Sequence, residues 1–135
     1  MSNSTRTSDS QTVLLIDAPE KEVVRLHKDL PGWCWLGASD NWPSNGDTKP
    51  TDRSIDAIIV FAHKDKETRA LDMCSRLCEK DDLERVPLFV AASRYQMNLV
   101  HEVKRLPRGD FIFTPIDKNT LLEKMKERAK EGANA

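Results

Sequence analysis

No stretch of this chain comes near the roughly 20 consecutive apolar residues that a membrane span requires. The start, Met1 to Gln11, is polar and lacks the basic-then-apolar build of a secretion signal, which points to the cytoplasm. Cysteine is scarce. Cys34, Cys74 and Cys78 are an odd set in such a chain, so reduced thiols are expected rather than a disulfide framework. Cys74 and Cys78 lie one helical turn apart, but no second Cys or His pair completes a tetrahedral metal set, and both are read as core. His27, His63 and His101 fall on separate elements, so neither a metal nor a cofactor is expected. Glycine is limited to five residues, and neither Gly-x-Gly-x-x-Gly nor Gly-x-x-x-x-Gly-Lys-Ser/Thr occurs. An excess of charge is missing too: charged residues make up 32% of the chain yet sum to -1. That leaves no field to draw in nucleic acid or an anionic membrane.

What is present is enough for one domain. A chain of 135 residues can bury a helix-flanked sheet without disulfides or metal. Residues 1–11, rich in Ser and Thr, cannot offset their ordering entropy and are expected to form a disordered tail. The folded domain is expected over 12–131, with 132–135 as a C-terminal tail.

Along the chain, short apolar runs alternate with helical stripes. Thr12 to Asp17, Cys34 to Ala38, Ala57 to Phe61, Leu88 to Ala92 and Phe111 to Phe113 read as strands bounded by Pro, Gly or Asp. Between them, Val23, Leu26 and Leu30 form one stripe; Leu71, Cys74, Leu77 and Cys78 a second; Leu99, Val100 and Val103 a third. A last helix carries Leu121, Leu122, Met125 and Ala129. Strands alternating with helices imply a three-layer α/β sandwich around a parallel sheet of about five strands, order 2-1-3-4-5. From Asp40 to Arg53 the residues are poor helix formers interrupted by Pro43 and Pro50, so the second crossover helix is expected to be short or missing.

The C-terminal ends of the strands are where such a fold places its chemistry. There the chain offers Asp17-Ala18, Phe61, Ala92 and Thr114-Pro115. The order of landmarks resembles the receiver domain (CheY-like) of two-component response regulators, over nearly the whole span from Thr12 to Glu131. In that family an acidic pair follows strand one, a phosphoacceptor aspartate ends strand three, a Ser or Thr ends strand four, and Lys-Pro follows strand five. The resemblance implies a degenerate site here. Phe61 has no lone pair to capture a phosphoryl group, Asp17 alone cannot replace three carboxylates around a divalent ion, Ala92 lacks the hydroxyl and Thr114 the cation.

Phe61 is expected to fill the emptied site as core, and Asp17 to serve a turn before Pro19. Asp65 in the following loop and Ser93 one place late are the substitutes to test, with Asp56 at the wrong end of its strand. Phe111 matches the aromatic that changes orientation on activation in signalling members, and the proline retained in Thr114-Pro115 commonly follows a cis bond in that family. The face of the last two helices and the fifth strand is the family's docking surface; Arg94, Lys104, Arg105, Arg108, Lys124 and Lys126 lie nearby. Trp33, Trp35 and Trp42 cluster at the opposite edge, where they either cover the sheet or anchor a partner.

The expected function is therefore a non-enzymatic, phosphorylation-independent signalling module of a bacterial cytoplasm. It would act through protein partners, without nucleic acid or membrane, as a monomer or weak homodimer. Two alternatives stand beside it: a divergent receiver that autophosphorylates with magnesium, and an α/β module that binds a small ligand at the strand ends.

Overall fold

The apolar runs pair as parallel strands. The computed structural model describes residues 11–38, 55–79, 86–106 and 109–134, with side chains through residue 127. Five strands form one sheet: β1 (Thr12–Ile16), β2 (Cys34–Ala38), β3 (Ala57–Phe61), β4 (Leu88–Ala92) and β5 (Gly109–Phe113). Their order is β2-β1-β3-β4-β5, as the alternation of elements implies. The helices are α1 (Glu20–Asp29), α2 (Glu67–Cys78), α3 (Met97–Val103) and α4 (Lys118–Asn134), and a 3-10 turn, Lys64–Lys66, leads into α2. The last helix continues past Glu131 to Asn134.

The period of two along each strand divides the core between the two faces of the sheet. Leu14, Ile16, Ile58, Val60, Leu88 and Val90 face one side, where Ala70, Met73, Cys74 and Leu77 of α2 and Leu99 and Val103 of α3 cover them. Val13, Leu15, Ile59, Phe61, Phe89 and Ala91 face the other, under Leu26 of α1 and Leu121 and Met125 of α4. Every residue of β3 and β4 is buried, whereas the edge strand β2 is half-exposed. This is why β3 and β4 read as continuous apolar runs: a central parallel strand has no solvent face.

Two details of the stripes differ from expectation. Leu122 is exposed; the side chains of α4 that are buried among the described residues are Leu121 and Met125. The side chain of Ala129 lies outside the described residues. On α1 the buried position one turn before Leu26 is a glutamate, Glu22. Cys74 is fully buried, and burial, aided by neighbouring Cys78, pushes its thiol up to about 12. Cys34 is exposed on β2.

Trp33 is 8% exposed and stacks on half-buried Trp35 with ring centres 5.5 Å apart. The Trp35 indole donates to the Leu30 carbonyl at 3.3 Å, so both rings serve to cover the sheet. Trp42, Arg108, residues 1–10 of the polar tail and the short or missing helix near Asp40 to Arg53 lie outside the described residues. Among the described residues no helix is long and apolar enough to cross a membrane.

Candidate functional site

The strands end together on one side of the sheet. Ile16 pairs with Val60, Phe61 with Ala91 and Ala92 with Phe113, and the ladder continues past the strands through Ala62 N donating to Ala91 O and Thr114 N to Ala92 O, both 2.9 Å. The positions expected to form the site are thus neighbours: Asp17-Ala18, Phe61, Ala92 and Thr114-Pro115. Asp56 caps the far end of the sheet, accepting a hydrogen bond from Thr12 N at 2.7 Å.

Phe61 is 4% exposed and Ala62 8%, and their side chains fall into the cores on opposite faces of the sheet. A register error of one residue would therefore change nothing, since neither position carries a carboxylate. The Thr114-Pro115 bond is cis.

Asp17 leaves β1 in the left-handed region, with φ 60°, a conformation that short acidic side chains tolerate in turns. Its amide donates to Ala38 O at 2.8 Å. His63 Nε2–H reaches across from the end of β3 and donates to the Asp17 carbonyl at 2.8 Å; the Asp17 carboxylate lies 3.7 Å from the same nitrogen. Asp17 and Ala18 open onto a hollow of about 320 Å³ between β1 and β2, beside Trp35 and Ala38. Asp17 thus lines this hollow, while its partner His63 lines the cleft over the ends of β3, β4 and β5.

A larger cleft of about 460 Å³ sits over the ends of β3, β4 and β5. Phe61, Ala62 and Ala91 form its floor, with Pro19 and Pro115 beside them. The expectation that Phe61 closes this region as core holds for the floor only, because open space remains above the ring. Ser93 and Thr114 bring hydroxyls to the cleft, and Lys21, Arg25 and Lys64 bring positive charge. Ala92, 1% exposed, belongs to the core beneath. Asp65 is exposed and lines a separate depression along the turn into α2.

Two buried polar side chains, neither anticipated from sequence, brace the cleft. Gln96 accepts from Ser93 N at 2.8 Å and donates to Ala62 O at 3.2 Å and to Glu67 Oε2 at 2.8 Å, tying β3, β4 and α2 together. Glu22 accepts a long hydrogen bond, 3.4 Å, from Ile116 N just after the cis proline. The signal for Glu22 was its place four residues before Leu26, on the buried stripe of α1. Lys21 and Arg25 share the next face at the same spacing. Among the described residues no group of three His, Cys, Asp or Glu side chains converges as a metal site.

On the outer side of β5, Phe111 and Phe113 meet edge to face at 5.1 Å. Lys124 lies 4.7 Å and Lys104 5.6 Å from the Phe111 ring centre, and Arg94 5.7 Å from that of Phe113. Lys124 also pairs with Asp110 at 3.5 Å, and Arg105 with Glu102 at 3.3 Å. Tyr95 and Met97, where α3 begins, are 96% and 46% exposed.

No family model matches this sequence, and no curated protein does. Solved structures do match. The N-terminal signal receiver domain of a two-component response regulator from Bacteroides fragilis superposes with TM-score 0.68 at 13% identity, over 88% of this chain and 96% of that one. The chemotaxis response regulator CheY4 of Vibrio cholerae gives 0.62 at 15% identity, over 88% and 98%. The signal receiver domain of a histidine kinase from Syntrophus aciditrophicus gives 0.67 at 14%, over 90% and 91%. The likeness spans the sheet and its covering helices, and it establishes the fold: a five-stranded receiver-type α/β sandwich.

Proposed function

We propose that this chain is a receiver-fold signalling module that works through protein partners and without phosphorylation, as a monomer or weak homodimer in a bacterial cytoplasm. The observation that carries this reading is the end of β3, where Phe61 and Ala62 are both buried and neither has an oxygen to accept a phosphoryl group. The position of Asp17 supports it further: the acid is engaged with His63 and faces a different hollow from Ser93 and Thr114. Asp65, the candidate substitute, lines neither. A divergent autophosphorylating receiver would need its nucleophile, metal ligands and hydroxyl gathered within hydrogen-bonding reach, and this arrangement weighs against it. Exposed Tyr95 and Met97 beside the Phe111 and Phe113 pair favour a protein partner on the face of α3, β5 and α4.

The test is incubation of the purified chain with acetyl phosphate and magnesium, followed by intact mass. The expected result is an unchanged mass. Stoichiometric phosphate addition that is labile at alkaline pH would overturn the proposal.

A further inference from the structure

The cleft over β3, β4 and β5 has lost one chemistry and holds the parts of another. Lys21 and Arg25 project from α1 and Lys64 from the turn after β3, so the cations reach one cavity from segments some forty residues apart in sequence. Among the described residues none of the three has an ion-pair partner. Their proximity is unfavourable in itself: like charges four apart on a helix cost about 0.2–0.5 kcal/mol. Among the described residues the only carboxylate lining the cavity is that of Glu22, buried and hydrogen-bonded to Ile116 N, which leaves an excess of positive charge. The hydroxyls of Ser93 and Thr114 complete a set of donors, while Phe61, Ala62 and Ala91 below them are apolar.

We infer that this cleft binds a small organic dianion, a doubly charged head group on an apolar body, non-covalently and without a divalent cation. Lys21, Arg25 and Lys64 neutralise the head group, Ser93 and Thr114 donate hydrogen bonds to it, and the body lies on the Phe61 floor. A volume of about 460 Å³ falls within the range of small-molecule sites. The inference goes beyond the protein-interaction reading and does not depend on it, since it rests on the charge and shape of the cleft. It gives that module an input: occupancy of the cleft at one edge of β5, read by partners on its outer face.

The probe is phenyl phosphate, titrated into the full chain in EDTA while backbone amide shifts are followed. Saturable one-to-one binding is expected, with the largest shifts at Ala62, His63, Ser93 and Thr114, and none with phenol. Each of Lys21→Ala, Arg25→Ala and Lys64→Ala should weaken binding roughly tenfold, the loss typical of one charge-assisted hydrogen bond. Lys28→Ala, on α1 but outside the cleft, should leave it unchanged. Lys21→Gln and Lys64→Gln retain the aliphatic stems if an alanine variant fails to fold. Absence of saturable shifts, insensitivity to all three cations, or a requirement for magnesium would overturn the inference. Intact mass of the titrated sample keeps the two proposals apart: covalent phosphate counts against phosphorylation independence, and loss of binding at unchanged mass counts against the dianion site alone.

Discussion

The cleft at the strand ends and the outer face of β5 each present three basic side chains, yet the cations are in opposite situations. On the outer face, Arg94, Lys104 and Lys124 lie over the Phe111 and Phe113 rings, and Lys124 also holds Asp110. In the cleft, Lys21, Arg25 and Lys64 surround open volume and pair with nothing among the described residues. The family resemblance implied a docking face beside β5, with basic residues nearby. Each of Arg94, Lys104 and Lys124 has an aromatic ring beside it and Lys124 a carboxylate as well, whereas among the described residues the cations of the cleft have neither.

The comparison breaks or holds first at its two phenylalanines. Phe61, in the cleft floor, is core, so Phe61→Ala should cost about 3–5 kcal/mol in urea unfolding. Phe111, half-buried on the outer face, should cost only about 1 kcal/mol when truncated. Equal losses would mean that the two rings are equally structural and that the cleft floor is not special. Next comes the brace: Gln96→Ala removes bonds to Ser93, Ala62 and Glu67 and should cost about 1–3 kcal/mol. It should also move the amide resonances of Ser93 and Ala62 while leaving Phe111 in place.

A reference belonging to neither region comes from Cys74 in α2. Its thiol is raised from 9.0 to about 12 in the fold, so the unfolded chain ionises first and stability falls as pH rises from 9 toward 12. The slope should be about 1.4 kcal/mol per pH unit, absent in Cys74→Ala, with Cys34 alkylated far faster than Cys74 in the native state. Lys124→Ala should cost about 0.5–1 kcal/mol, because it loses a partly buried pair and a ring contact. Smallest of all, Lys21→Ala, Arg25→Ala and Lys64→Ala should each leave stability within about 0.5 kcal/mol. A large loss at any of them would show a structural role that the cleft description omits.

Much of the architecture was legible before folding. Strands β2, β3 and β4 run between the residues that their apolar runs and flanking prolines marked, and the sheet order followed from the alternation of elements. The helices lie where the apolar stripes put them; α1, α2 and α3 begin without a side-chain cap, so no capping residue marked their starts, whereas Asp117 caps α4 by accepting from Thr120 N at 3.0 Å. The site was legible only in its absences. Phe61, Ala92 and Thr114 lie where the sequence put them, but nothing local showed that Asp17 would turn toward His63 or that Glu22 and Gln96 would be buried. Trp33 and Trp35 admitted two readings; Trp33 packs as cover for the sheet, while half-buried Trp35 still borders the hollow between β1 and β2.

The sequence by itself determined the succession of strands and helices, and it determined that β3 ends without a carboxylate at either Phe61 or Ala62. Both are encoded locally, by apolar period and by residue chemistry. The tertiary structure decided where charge converges. Lys21, Arg25 and Lys64 meet only because parallel crossovers return β1 and β3 to the same end of the sheet. Lys124 is neutralised only because α4 packs back across β5, which brings it to Asp110. Convergence across crossovers depends on long-range packing, and no window of sequence contains it.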